Sequence, residues 1–286
     1  MTRVAIWGCG RIGRAVAPLL VAEGFELVRV CDADPGKAVA LARTLDLDVT
    51  GSTDSHTWPV DLVIDATGDT ALLPAWRARL ASGEVTHVVL TRREPLADRS
   101  VIFGYDHEPT LRALARGTVI AAGSCTGNAV VPFLGLLWRE YPPDAVSCDV
   151  LHPMKQYTEF ILRQIPTALP LSIAEHLPSL STCFQALAME IPVSRGMAID
   201  VAITFRDAPL RLAELFAEAN AAGGVFALAP GELDNERIIG SPHSCVLDRR
   251  WSLKGRHFRG LLWQDNEHGF ACRVLDVCKH LRSRNG

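Results

Sequence analysis

An α/β domain built on a parallel sheet, followed by an α+β domain with a mostly antiparallel sheet, is the fold class that this sequence predicts. Three observations predict it. A glycine-rich turn, Gly8-Cys9-Gly10-Arg11-Ile12-Gly13, joins an apolar strand to a helix close to the start. Apolar runs then alternate with helical stretches as far as residue 122, the pattern of a sheet covered on both faces. Beyond that point the texture changes. Residues 197–206 alternate strictly: Met197, Ile199, Val201, Ile203 and Phe205 face one way and the residues between them the other, as in a half-exposed antiparallel strand.

In chain order, residues 3–7 read as a strand, and the glycine turn opens a helix that runs to about residue 23 and stops at Gly24. A second strand, 26–31, ends on Asp32. These parts match the dinucleotide fingerprint of a Rossmann-type domain: Gly8 makes the tight turn, Gly10 admits a pyrophosphate, and Gly13 lets helix and strand pack closely. Asp32 lies about twenty residues beyond the glycines, where a carboxylate accepts from ribose hydroxyls and repels a 2′-phosphate. NAD rather than NADP is the expected cofactor.

Asp34-Pro35 opens a helix to residue 45, and a strand over 61–65 leads into Ala66-Thr67-Gly68. A helix over about 70–80 and a strand over 87–91, ending on Thr91, follow. Strands over 100–104 and 118–122 complete the first domain. Ligands of parallel sheets bind beyond the carboxyl ends of the strands. Thr67, Gly68, Thr91 and Cys125 all fall at such ends, so cofactor and thiol are expected to share one crevice.

Cys125 follows Gly123-Ser124 and heads an apolar helical segment that runs to residue 137. A thiol at a helix N-terminus has a depressed pKa and is the better nucleophile for it. Ser124, Thr126 and Asn128 add hydroxyls and an amide at the same place. In the second domain, strands are expected over 146–151, ending on His152, and over 184–191 and 260–264. Helices are expected over 211–222 and 269–281.

Four motifs taken together resemble the glyceraldehyde-3-phosphate dehydrogenase family along nearly the whole chain. Residues 8–14, Gly-Cys-Gly-Arg-Ile-Gly-Arg, are similar to its cofactor loop, which adds Arg11 and Ile12 to the cofactor-binding set. Gly123-Ser124-Cys125-Thr126-Gly127-Asn128 resembles its nucleophile motif, and His152 falls where the family keeps a catalytic histidine. Gly240-Ser241-Pro242-His243-Ser244 and Trp263-Gln264-Asp265-Asn266-Glu267-His268-Gly269-Phe270 resemble two late motifs, the second implying that Asn266 bonds the nicotinamide carboxamide.

The resemblance implies an NAD-binding domain over 1–124, completed by a final helix (267–286) that folds back onto it, and a catalytic domain over 125–266. It also implies a thiohemiacetal and then a thioester on Cys125, with His152 as base. The substrates are then an aldehyde or acyl phosphate together with inorganic phosphate, the phosphate held by Ser124, Thr126 and Thr167. A homo-oligomer, dimer or tetramer, is expected.

Departures from the family point away from glyceraldehyde 3-phosphate itself. Glu190 stands where the family has an arginine, and Lys155 replaces a threonine. Lys155 and Arg195 are the cations in reach to replace that charge or to pair with Glu190. Arg92 and Arg93 replace small residues, and the chain between His152 and Thr167 is short. Two other classes stay open: an NAD-binding regulator without turnover, and a cysteine-dependent hydrolase reading Gly123-Ser124-Cys125-Thr126-Gly127 as its nucleophile elbow.

Composition excludes other classes. Net charge is −3 with 48% hydrophobic and 21% charged residues, and no basic run invites nucleic acid or an anionic membrane. No apolar stretch is long enough to span a bilayer. The chain goes straight into its first strand, so no secretory leader is expected, and its eight cysteines show neither CxxC pairs nor metal spacing. Reduced thiols in a cytoplasm, with no metal, are the expectation.

Overall fold

The computed structural model describes residues 1–47, 59–154 and 162–283. The chain divides into two compact units, one of residues 1–124 with the C-terminal helix from Ala271 onward, the other of Cys125–Phe270. No helix among the described residues is long and apolar enough to cross a membrane.

The first unit begins with β1 (Arg3–Trp7), α1 (Arg11–Ala22), β2 (Glu26–Cys31) and α2 (Pro35–Thr44). Asp34 caps α2 by accepting from the Gly36 N–H, with Pro35 at the first helical position, as an N-terminus prefers. Then come β3 (Val60–Asp65), α3 (Leu73–Ala81), β4 (Val85–Leu90), β5 (Arg99–Ser100), α4 (His107–Arg112) and β6 (Thr118–Ala121). The six strands pair in parallel in the order β2-β1-β3-β4-β6-β5. Leu62 to Asp65, His87 to Leu90 and all of β6 are buried, so both faces are covered and the strands read as continuous apolar runs.

The strand expected over 100–104 is cut to two residues. Asp106 accepts from the Ile102 N–H at 2.8 Å and Tyr105 N–H bonds Ile102 O at 3.1 Å, so the chain turns instead of continuing the ladder. A short aspartate that offers the backbone a local partner competes with the sheet in this way.

The second unit opens with α5 (Cys125–Trp138), followed by β7 (Pro143–Pro153), β8 (Arg163–Ile165), α6 (Leu169–His176), β9 (Phe184–Ile191) and β10 (Met197–Phe205). It continues through α7 (Leu212–Ala222), β11 (Phe226–Leu228), β12 (Cys245–Leu247), β13 (Ser252–Lys254) and β14 (His257–Gln264). These strands form a mixed sheet of order β11-β12-β14-β10-β7-β9-β8, with β13 on β14. All its pairs are antiparallel except β7–β9 and β11–β12.

One face of the β10 strand packs inward (Met197, Ile199, Val201, Ile203 and Phe205 are buried), and Asp200 and Ala202 point out. Helix α5 supplies Phe133 to an aromatic cluster, with ring centroids 5.9 Å from Phe216, 6.3 Å from Phe226 and 6.1 Å from Phe258. Such pairs add about 0.5–1.5 kcal/mol each beyond the area they bury.

The last helix, α8 (His268–Ser283), buries Val274, Val277, Cys278 and Leu281 along one side. Its far end is tied to the end of α1. Arg282 lies 4.2 Å over the Phe25 ring and donates to Glu23 O at 2.7 Å, and Lys279 pairs with Glu23 at 3.2 Å.

Asp265 holds the start of α8. Its Oδ1 accepts from the Glu267 and His268 N–H groups, and its Oδ2 from the Gly240 N–H. Arg195 grips both oxygens, at 3.1 and 2.8 Å, and Asp265 is fully buried. Burial pushes this carboxyl up in pKa, but the backbone donors and the guanidinium outweigh it and hold it below the ordinary aspartate value. Its stabilisation is therefore present above the unfolded pKa and is lost as pH falls through the folded one. Arg195→Met is expected to cost about 3 kcal/mol, the scale of stranding a buried charge. In the variant the folded-state carboxyl moves up toward its unfolded value, so stability falls less on acidification than in the wild type. Urea titrations across pH measure both effects.

Candidate active site

Two sets of functional side chains are described, one in each unit. In the first unit, a cavity of about 620 Å³ opens at the carboxyl ends of β1, β2 and β3, lined by Trp7, Gly8, Gly10, Asp32, Lys37 and Thr67 among others. A Cβ on Gly8, at φ 99°, would stand 2.6 Å from the Ala66 carbonyl carbon, and one on Gly13 would stand 1.9 Å from Gly8 O. Those two glycines are needed by the protein's own packing. Gly10 is different, because a Cβ there would meet nothing within 4 Å. Its missing side chain leaves the space in front of the loop open.

Asp32 is fixed at the mouth of this cavity. Its Oδ2 accepts from Cys9 N–H at 2.7 Å and its Oδ1 from Asp34 N–H at 2.9 Å. Each oxygen retains a lone pair for a ribose hydroxyl. Lys37, on the first turn of α2, was not anticipated from the sequence, nor was Asp69, which lines the same cavity and caps the following 3-10 turn.

Thr67 is shaped by Asp65, whose buried carboxylate accepts from the Thr67 N–H and hydroxyl, from the Trp76 indole and from Arg92 Nη1. Arg92 thus neutralises a buried charge beneath the loop. Arg11, Ile12, Gly13, Gly68 and Thr91 flank the cavity in sequence but are not among its lining residues. Thr91 is held by its N–H to Asp65 O at 3.0 Å, and Gly68 turns the chain at φ 75°.

In the second unit, Cys125 is the first residue of α5, half-buried, with Thr126 Oγ1 3.9 Å from its sulfur. Burial raises its pKa. A hydrogen bond and charge from His152 and hydrogen bonds from the Thr126 hydroxyl and backbone reverse that, and the thiol is held below the ordinary cysteine value. The other shifted thiols move the opposite way: burial pushes Cys9 and Cys278 up to about 12, and raises Cys148 and Cys183.

His152 lies near the end of β7. Its Nδ1 is 2.9 Å from Pro153 O, a pure acceptor, so Nδ1 carries a proton and Nε2 is left to meet the thiol.

Sheet register places further residues beside this pair. His152 is the register partner of Glu190 on β9, and Glu190 of Arg163 on β8. Met197 pairs with Gln264, and Ala198 with Leu151, so one row across the inner face carries Arg163, Glu190, His152, Met197 and Gln264. Glu190 is buried and bonded by Arg163, whose Nε lies 2.6 Å from Oε2.

One partner of Glu190 is therefore a residue the sequence reading passed over. Arg195, one of the two cations considered for it, is committed to Asp265. Lys155, the other, lies outside the described residues. Thr167 is half-buried and its Oγ1 accepts from Leu169 N–H at the head of α6. Ser124 is half-buried and directly precedes Cys125. Asn266 is buried, and its Oδ1 has no hydrogen-bond partner among the described residues.

Comparison with known proteins bears on both sets. Residues 3–90 match a family model described as NADP oxidoreductase, coenzyme F420-dependent. The whole chain is similar to a glyceraldehyde-3-phosphate dehydrogenase of Kitasatospora aureofaciens, 26% identical over 339 aligned positions that cover 99% of this chain and all of the relative. The first unit is thus an oxidoreductase-type nucleotide-binding domain in fold and in sequence.

Proposed function

We propose that this chain is an NAD-dependent aldehyde oxidoreductase that works through a thioester on Cys125. The observation that carries the reading is the Cys125–His152 pair, a thiol held below its ordinary pKa by an imidazole on the neighbouring strand. The open front of Gly10 and the carboxylate of Asp32 fit a nicotinamide dinucleotide, and these residues would hold it. When bound, that cofactor supplies the hydride acceptor.

The chain's own residues do the rest. His152 Nε2 takes the Cys125 proton, and the thiolate adds to the aldehyde carbonyl, forming a C–S bond and an alkoxide that takes that proton back from the imidazolium. His152 Nε2 then removes the hydroxyl proton as the carbon loses hydride and the C–O double bond re-forms as a thioester. Inorganic phosphate, taken near Ser124, Thr126 and Thr167, attacks the thioester carbon and expels the Cys125 thiolate, releasing an acyl phosphate.

NAD is the proposed cofactor on the charge of Asp32, although the matched family model is described by NADP. On this reading the family's distal cation is replaced by a neutral Arg163–Glu190 pair, so phosphorylated aldehydes lose their usual advantage. The test is steady-state NADH formation with phosphorylated and unphosphorylated aldehydes, with and without phosphate. Phosphate-dependent turnover strongest on an unphosphorylated aldehyde is expected. No turnover on any aldehyde sinks the reading.

A further inference from the structure

Gln264 ends β14, is 1% exposed, and has no hydrogen-bond partner among the described residues at either Oε1 or Nε2. A buried polar group without a partner is rare in a folded protein and costs about 1–3 kcal/mol per group. Leucine or methionine at the same place would fill the space without that cost. The amide is therefore kept for something other than stability.

Its position says what. Gln264 is the register partner of Met197, and the Met197 sulfur is 3.9 Å from Thr126 Oγ1, which is itself 3.9 Å from the Cys125 sulfur. His152 lies on the other side of Met197 in the same row across the sheet. Gln264 thus stands two side chains from the reacting thiol, on the face that the thiol occupies.

We infer that Gln264 is a specificity-determining residue of the site proposed above, an inference that rests on that reading. A carboxamide presents one donor and one acceptor side by side. A phosphate or carboxylate satisfies only the donor and repels the acceptor, and an ammonium does the reverse. A hydroxyl satisfies both. At the opposite end of the row Arg163 is committed to Glu190, and Arg195 is committed to Asp265. The matched ligand is an uncharged aldehyde bearing a hydroxyl near the carbonyl, with Gln264 bonding that hydroxyl.

The experiment compares glyceraldehyde with propanal, which has the same carbon chain and no hydroxyl. Wild type and the variants Gln264→Leu and Gln264→Met are assayed with NAD and phosphate, and their Tm values and NAD affinities are measured. Wild type is expected to favour glyceraldehyde by about 10- to 100-fold in kcat/KM, as a buried polar group left unmatched by propanal requires. Both variants are expected to lose that preference, mainly through KM for glyceraldehyde. Their Tm is expected to stay or rise, and NAD affinity to be unchanged.

A fall in Tm in both variants would show a structural amide and overturn the inference. So would an unchanged preference, a wild type without preference, or weakened NAD binding, which would assign the amide to the cofactor. Turnover with neither aldehyde, Tm held, would overturn this inference, and a lack of turnover across the wider aldehyde panel would overturn the aldehyde reading itself.

Discussion

Cys125→Ser is expected to abolish aldehyde-dependent NADH formation, by at least about 10⁴-fold, the scale on which removing a covalent nucleophile acts. A serine hydroxyl has no anion at neutral pH, and a lone histidine cannot make one in the way it makes a thiolate. NAD binding, measured by calorimetry, should be unchanged, because Asp32 and the glycine loop belong to the other unit.

The same chemistry should single out one thiol of the eight. Iodoacetamide is expected to label Cys125 rapidly at neutral pH, since its pKa is lowered and those of Cys9, Cys148, Cys183 and Cys278 are raised. Slow, even labelling of all eight would contradict the assignment.

His152→Asn carries the second large effect, a loss of about 10²–10⁴ in the chemical step, as expected for removing an acid–base group. It also has a pH signature. Alkylation of Cys125 follows the thiolate, so its rate falls as pH drops through the thiol pKa. Without the imidazole its lowering influence is gone and only the Thr126 bonds oppose the raising effect of burial, so the midpoint moves up. An alkylation profile that does not move would mean that the side chains do not meet.

The parallel sheet was legible because β1, α1 and β2 each announce themselves by a local cue: an apolar run, three glycines with distinct steric duties, and a terminal acid. Strand β10 was legible for the same reason, since its alternation is complete over nine residues. Strands β8, β11, β12 and β13 are three residues each and show no period, and α6 begins after a short proline-containing turn. Their order comes from pairing partners distant in the chain, which local patterns do not encode.

The site divides along the same line. Cys125 and His152 are marked by residue type and setting, one at a helix start and the other at a strand end. Arg163 and Gln264 are marked only by what surrounds them. An arginine on a three-residue edge strand reads as surface charge until the register sets it against buried Glu190. A glutamine closing a strand reads as a solvated end until burial shows otherwise. Arg195 misled for the complementary reason, because its partner Asp265 is seventy residues away.

The central claim, an acyl group carried on Cys125, is tested most directly by intact-protein mass spectrometry. Wild type is mixed with NAD and glyceraldehyde without phosphate. The account predicts NADH formation accompanied by a glyceroyl adduct that maps to Cys125, loss of the adduct when phosphate is added to wild type, and neither NADH nor adduct in the Cys125→Ser variant. NADH formed with no adduct on Cys125, or formed equally by Cys125→Ser, would contradict it.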